Sequence, residues 1–325
     1  MNCPRRQFLH LAAGAAALPM VPRIAWAQAY PSRPVKLVVG SAAGGALDIV
    51  GRLTGQWLSE RLGQQFIVEN RPGAGSNIAV EAVVRAMPDG YTLLVAGLSN
   101  AANESLYEKL NFNFIRDIAP VAGIIRTPLI MEVNPSFPAR TVPEFIAHAK
   151  VNPGKINMAA GNVGSPGHLA GELFKSMTGL DILYVVYRGS APALTDLLGG
   201  QVHMMFDPLP SSIEHVRAGR LRPLAVTTAA RSEALPDTPV MADFVPGFEA
   251  SSWYGIAAPK NTPREIIENL NRQINSALAD PRFRARLADL GGMLLSGSPA
   301  EFGKLIVDET EKWGKVIRAA NIKPG

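Results

Sequence analysis

The stretch VKLVVGSAAGGALDIVGRLTGQWL, residues 35–58, decides the fold class. It opens with a run at 35–40 that is apolar except for Lys36, close to the pattern of a strand covered on both faces. It continues through SAAGGALD (41–48), built almost entirely from small residues. It then settles into apolar positions Ile49, Val50, Leu53, Trp57 and Leu58, extended by Leu62, spaced three to four apart as on one face of a helix. Strand, small-residue turn and amphipathic helix in that order make half of a βαβ unit.

Two further turns share this construction: GNVGSPGH (161–168), before a helix marked by Leu169, Leu173, Phe174 and Met177, and GSAPALTD (189–196). None of the three contains Lys or Arg. Each leaves unpaired backbone N–H groups at a helix start, where the peptide dipoles sum to about half a positive charge. Small side chains let a ligand reach that backbone, so a small anion can be held with no formal positive charge nearby. The chemistry points to binding.

Apolar runs at 66–69, 92–96, 129–133, 156–160, 182–187, 203–206 and 224–227 predict further strands, alternating with helices. The fold class is α/β with largely parallel sheets, and the length favours two domains. Thr141 with Glu144, Thr262 with Glu265 and Ser298 with Glu301 have the spacing of capping boxes. Three helices, at 263–278, 281–290 and 299–319, are expected around a short strand near Met293, and no low-complexity linker interrupts the chain.

Residues 1–27 read as an export signal: Arg5 and Arg6, a soft apolar stretch at 11–21, Arg23, and the small-residue cleavage pattern Ala25, Trp26, Ala27. The pair of arginines favours the twin-arginine route, although Pro4 and His10 depart from its usual flanks and leave the general route open. Both routes end outside the cytoplasm. Cys3, the one cysteine, is lost with the signal, so the mature chain has no disulfide, zinc thiolate site or cysteine nucleophile. Removing Arg5, Arg6 and Arg23 from 32 basic residues leaves 29 against 27 acidic, which gives no electrostatic footprint for nucleic acid or a lipid surface.

Catalytic patterns fail on local detail. Gly40 and Gly45 have the spacing of a phosphate loop, but Ala46 and Leu47 stand where Lys and Ser or Thr are needed. The dinucleotide fingerprint begun by Gly73 and Gly75 fails at Ile78. Ser165 follows Val163 and Gly164 where a nucleophile elbow needs glycine two residues before the serine. His148, His168, His203 and His215 include no i, i+4 metal pair, so neither metal nor cofactor is expected.

Several segments, in order, resemble one family: YPSRPVKLVV (30–39), VENRPGAGSNIA (68–79), PDGYTLL (88–94), HLAGELF (168–174), YRGSAPALTDLLGGQV (187–202), MMFD (204–207), LRPLAVT (221–227) and SSWYGIAAP (251–259). The family is the extracytoplasmic solute receptors of tripartite tricarboxylate transporters, also called Bug or TctC receptors. The resemblance implies a two-lobe, hinged periplasmic binding protein of the Venus flytrap kind, type II-like, not an enzyme and monomeric. It places lobe 1 at 30–126 plus 253–325 and lobe 2 at 127–252, with chain crossings near 125–129 and 251–255.

The resemblance further implies a small carboxylate as ligand and the membrane components of the transporter as partners. A sensor on the same scaffold, presenting its solute to a signalling protein, is the alternative, and an exported enzyme is a third. Carried over position by position, the site comprises Ser41, Ala42, Ala43, Asp48, Leu98 and Ser99 from lobe 1, and Gly164, Ser165, His168, Ser190, Ala191 and Asp207 from lobe 2. Positions 41–43 in the family usually read as an aromatic and two prolines and position 47 as a small hydroxyl residue. Here Ser41, Ala42, Ala43 and Leu47 stand there, which implies a larger or differently shaped solute.

Each residue also has a plainer role open to it. Ser165 and Ser190 suit helix N-caps, Asp48 complements a helix dipole, Asp207 suits a strand-end cap, and His168 suits a buried structural imidazole.

Overall fold

Strand β1 (Val35–Val39) leads through helix α1 (Ala46–Leu62) to β2 (Phe66–Asn70), which returns parallel to β1 in the register Val35 opposite Phe66. Parallel neighbours need such a crossover, because a strand must travel back before it can pair in the same direction. Helix α2 (Asn77–Val84) then carries the chain to β3 (Thr92–Gly97), parallel to the other edge of β1. β3 feeds directly into α3 (Leu98–Leu106). The computed structural model describes residues 30–323, so the export signal expected at 1–27 lies outside the described residues.

After the short helix α4 (Phe114–Asp117) comes β4 (Ile118–Val133), sixteen residues long and nearly all buried. Residues Ile118 to Pro128 of β4 pair antiparallel with β9 (Ser251–Pro259), which in turn pairs antiparallel with β3. From Leu129 onward β4 takes new neighbours, β7 (Met204–Pro208) and β8 (Arg222–Val226), both antiparallel. One strand therefore belongs to two sheets, and β9 is the second strand at their junction. Thr227 fastens this point: its hydroxyl accepts from the Leu129 N–H (2.9 Å) and donates to the Ala250 carbonyl (2.8 Å).

The second sheet repeats the logic of the first. After α5 (Val142–Lys150), β5 (Ile156–Ala160) runs through α6 (Pro166–Thr178) to β6 (Ile182–Val186), parallel and in register Ile156 opposite Ile182. Helix α7 (Ser190–Leu198) leads to β7, parallel to the other side of β5, and α8 (Leu209–Arg217) follows. The full strand order is β2-β1-β3-β9-β4-β7-β5-β6, with β8 also on β4. The sheets are thus mixed: every pair that includes β4 or β9 is antiparallel, and the remaining pairs are parallel as expected.

Helices α9 (Arg264–Ala279), α10 (Pro281–Asp289) and α11 (Pro299–Ala319) return to the first sheet, and the two-residue β10 (Met293–Leu294) pairs with β4 at Arg126. The Ser298–Glu301 capping box forms in full, each side chain taking the other's backbone N–H. At Thr141 only half forms: the hydroxyl accepts from the Glu144 N–H, whereas the Glu144 carboxylate takes the Arg140 N–H. No box forms at Thr262; Pro263 occupies the cap and the threonine hydroxyl donates to the Pro259 carbonyl. Trp253 and Trp313 are the largest wholly buried side chains, and Trp253 meets Phe302 edge-on at 5.7 Å. No described helix is long and apolar enough to cross a membrane.

Candidate functional site

In a parallel α/β sheet every helix begins at the carboxyl end of the strand before it, so the helix N-termini gather on one side. Here two sheets turn those sides toward one narrow cleft, a cavity of about 60 Å³. Its lining includes Ala46 and Leu47 at the start of α1, Leu98, Ser99 and Asn100 at the start of α3, Pro166 and Gly167 at the start of α6, and Ser190 at the start of α7. No Lys, Arg or His is among the lining residues. Gly45, Gly97 and Gly189, which precede α1, α3 and α7, carry no capping side chain, so the first N–H groups of those helices are left for a guest.

Three hydroxyls in the same lining, Ser41 Oγ, Ser252 Oγ and Tyr254 Oη, are buried and have no hydrogen-bond partner among the described residues. An unpaired buried hydroxyl costs about 1–3 kcal/mol, and a bound acceptor or donor returns that loss. Burial pushes the Tyr254 phenol far above its ordinary range, so it stays a neutral donor.

The floor is Asp207, at the carboxyl end of β7 and fully buried. Ser190 Oγ donates to its Oδ1 at 2.5 Å, Ser212 Oγ lies 2.9 Å from its Oδ2, and Ser211 also donates to it. Burial pushes this carboxyl up, to about 6, against the opposing pull of Ser190, Ser211 and Ser212.

The chain matches the model described as the tripartite tricarboxylate transporter family receptor over residues 50–322. It belongs to that family. Among curated relatives, protein BugT of Bordetella pertussis (strain Tohama I) is 36% identical over 300 residues, covering 91% of this chain and 92% of its own. Among solved structures, R. palustris Rpa4515 with adipate superposes with a TM-score of 0.89 at 38% identity, over 91% of this chain and all of the other. MatC from Rhodopseudomonas palustris with bound malate gives a TM-score of 0.84 at 31% identity, over 89% of this chain and all of the other.

In this family receptor, six residues expected at the site line the cleft: Ser41, Leu98, Ser99, Ser165, Ser190 and Asp207. Ser165 is also the N-cap of α6, accepting from the His168 N–H at 3.2 Å. Ser190 is not a cap; Gly189 holds that place and the serine hydroxyl turns to Asp207. Three more lie where the two halves touch. The Ala42 N–H donates to the Arg188 carbonyl at 3.1 Å, Gly164 leaves space for Leu106 and Asn103, and Ala191 faces Gly44.

Ala43 is exposed, and Asp48 and His168 are buried outside the lining. Asp48 fastens the first turn: it accepts from the Gly44 N–H (2.9 Å), Arg52 Nε (2.9 Å) and Asn70 Nδ2 (2.9 Å). Burial alone would raise its carboxyl, but the Arg52, Gly44 and Asn70 bonds prevail and hold it below the ordinary range. His168 packs its ring 4.7 Å from that of Tyr184, and burial lowers its imidazole to about 4. Ser76, Asn162, Ser252 and Tyr254 also line the cleft, although none was among the residues carried over from the family; Asn162 stands in the small-residue turn at 161–168. Ser252 and Tyr254 stood within the SSWYGIAAP resemblance, where alternation along a strand would have turned both to one face.

Proposed function

We propose that this receptor captures a small carboxylate in the cleft and delivers it to the membrane components of a tripartite tricarboxylate transporter. The observation that carries the reading is the meeting of helix starts from both sheets, α1 and α3 against α6 and α7, in a lining with no basic side chain. Main-chain dipoles converging from two sides suit a carboxylate better than a neutral solute. The bound adipate and malate of the two structural relatives agree with that preference.

The two lobes are 30–126 plus 253–325 and 127–252, hinged where β4 changes partners and β9 begins. The carboxylate-contacting set is the cleft-lining part of the expected residues, with Ala42, Gly164 and Ala191 serving closure. The receptor works as a monomer in the periplasm, reached by the twin-arginine signal at residues 1–27, and binds without turnover. Ser41 in place of a bulky aromatic residue opens one wall, which favours a solute longer than malate.

Isothermal titration with dicarboxylates of increasing chain length, malate, adipate and the diamide of adipic acid tests the proposal. Saturable binding of a carboxylate, recovery of the ligand unchanged by mass spectrometry, and no binding of the diamide are expected. Failure of every carboxylate to bind overturns it.

A further inference from the structure

Beneath the cleft lie two carboxyl groups with no cation beside them among the described residues. Glu132 on β4 is opposite Met205 on β7, two residues before Asp207, so Glu132 and Asp207 project from the same face of neighbouring strands. Both are wholly buried. Ser212 Oγ, on α8, lies 2.6 Å from Glu132 Oε1 and 2.9 Å from Asp207 Oδ2.

A hydroxyl has one hydrogen to give. If both carboxyls were ionised, one of these two contacts would set oxygen against oxygen with nothing between them. One carboxyl therefore carries a hydrogen. A chain from Glu132 Oε1–H to Ser212 Oγ, and from Ser212 Oγ–H to Asp207 Oδ2, satisfies both contacts.

The other groups facing the pair are neutral: Ser190 from α7, Ser211 from α8 and the Tyr254 phenol from β9. Glu132 Oε2 has no partner among the described residues, which suits a neutral acid better than an anion. Burial and the neighbouring Asp207 both push the Glu132 carboxyl well up, in agreement with that assignment. Asp207, an anion at neutral pH, then sits under the place where a second anion is to be held. Ser190 ties it directly to the helix start that forms part of the cleft.

Resting on the carboxylate-binding reading, we propose that Glu132 and Asp207 form a proton site linked to the cleft. The pair holds one proton in the empty receptor and takes a second from solvent, onto Asp207, when a carboxylate is seated. The only bond formed is the Asp207 O–H, and the solute enters together with a proton. Neutralising Asp207 removes a like charge from beside the guest and leaves Ser190 free to direct its hydrogen into the cleft.

Adipate is the probe. Titration calorimetry at pH 7 in two buffers of different ionisation enthalpy is expected to show roughly 0.5–1 proton taken up per adipate bound, with affinity rising by up to about tenfold per unit as pH falls from 8 to 6.5. Asp207→Asn is expected to bring proton uptake to near zero and flatten the pH profile. Infrared spectra of the empty receptor at pH 7 are expected to contain a protonated-carboxyl band that Glu132→Gln removes. Adipate binding without proton uptake, or a spectrum unchanged by Glu132→Gln, overturns the proposal and leaves carboxylate capture standing. If the infrared band is present but no carboxylate binds, the proton on the pair is established, while capture and its linkage both fall.

Discussion

The backbone N–H of Ala42 donates to the carbonyl oxygen of Arg188 at 3.1 Å. Ala42 belongs to the turn after β1 and Arg188 to the segment before α7, so this bond joins the two halves across the mouth of the cleft.

That contact leaves no room for a side chain at Gly189, whose φ of +144° suits glycine alone and where an added Cβ would come within 2.9 Å of the Ala42 nitrogen. Gly189→Ala is expected to weaken carboxylate affinity by about 5- to 150-fold, since strain of this kind costs about 1–3 kcal/mol. Calorimetry gives the affinity, and small-angle scattering is expected to show less contraction on ligand addition than in the wild type. An affinity within about twofold of the wild type would refute the expectation.

Tyr254 presents a different balance, because its hydroxyl is buried without a partner among the described residues. Tyr254→Phe is expected to leave the melting temperature of the empty receptor unchanged or raised, as no protein hydrogen bond is lost. Carboxylate affinity is expected to fall by about 1–3 kcal/mol, the cost of leaving a bound group unpaired. Loss of stability without loss of affinity would make the phenol a packing element only.

Asp48 organises the turn from a buried position, accepting from Gly44, Arg52 and Asn70. Asp48→Ala is expected to lower unfolding stability by about 2 kcal/mol in a urea titration. The carboxyl is lowered in the folded state, so its contribution is present above the ordinary aspartate range and disappears as pH falls through the folded value. The gap between variant and wild type should therefore close on acidification.

His168 is held neutral, lowered by burial to about 4 from an ordinary 6.5. Between those values the unfolded chain binds a proton that the folded chain refuses, so stability falls as pH drops through this window. A shift of this size corresponds to at most about 3 kcal/mol. Urea midpoints from pH 7 to 4 are expected to fall less steeply in His168→Phe, which keeps a ring against Tyr184. Parallel slopes would show that the imidazole is not the group responsible.

The strands with continuous apolar runs were legible from sequence, and the strand at 156–160 has the bounds expected of it. The junction was not. Of β4 only 129–133 was expected as strand, and β9 was recognised as a motif and not as a strand. Pro120 and Pro128 in β4 lack a ladder donor. Gly255 of β9 is small because the Phe302 ring fills the space a side chain would need. Both features weaken strand propensity locally, and only partners distant in sequence restore it.

The sequence by itself determined that helix starts with small-residue turns free of Lys and Arg would follow parallel strands, since strand period, helix period and turn chemistry are all local properties. The family resemblance, and not these local patterns, pointed to Ser41, Leu98, Ser99, Ser165, Ser190 and Asp207, which stand around one cleft. Tertiary structure alone decided that Tyr254 and Ser252 join them, that Asp48 and His168 turn away, and that Ser212 bridges Glu132 and Asp207. These depend on how two sheets meet through β4 and β9. That meeting is fixed by contacts between residues more than a hundred positions apart, to which no local pattern of the chain is sensitive.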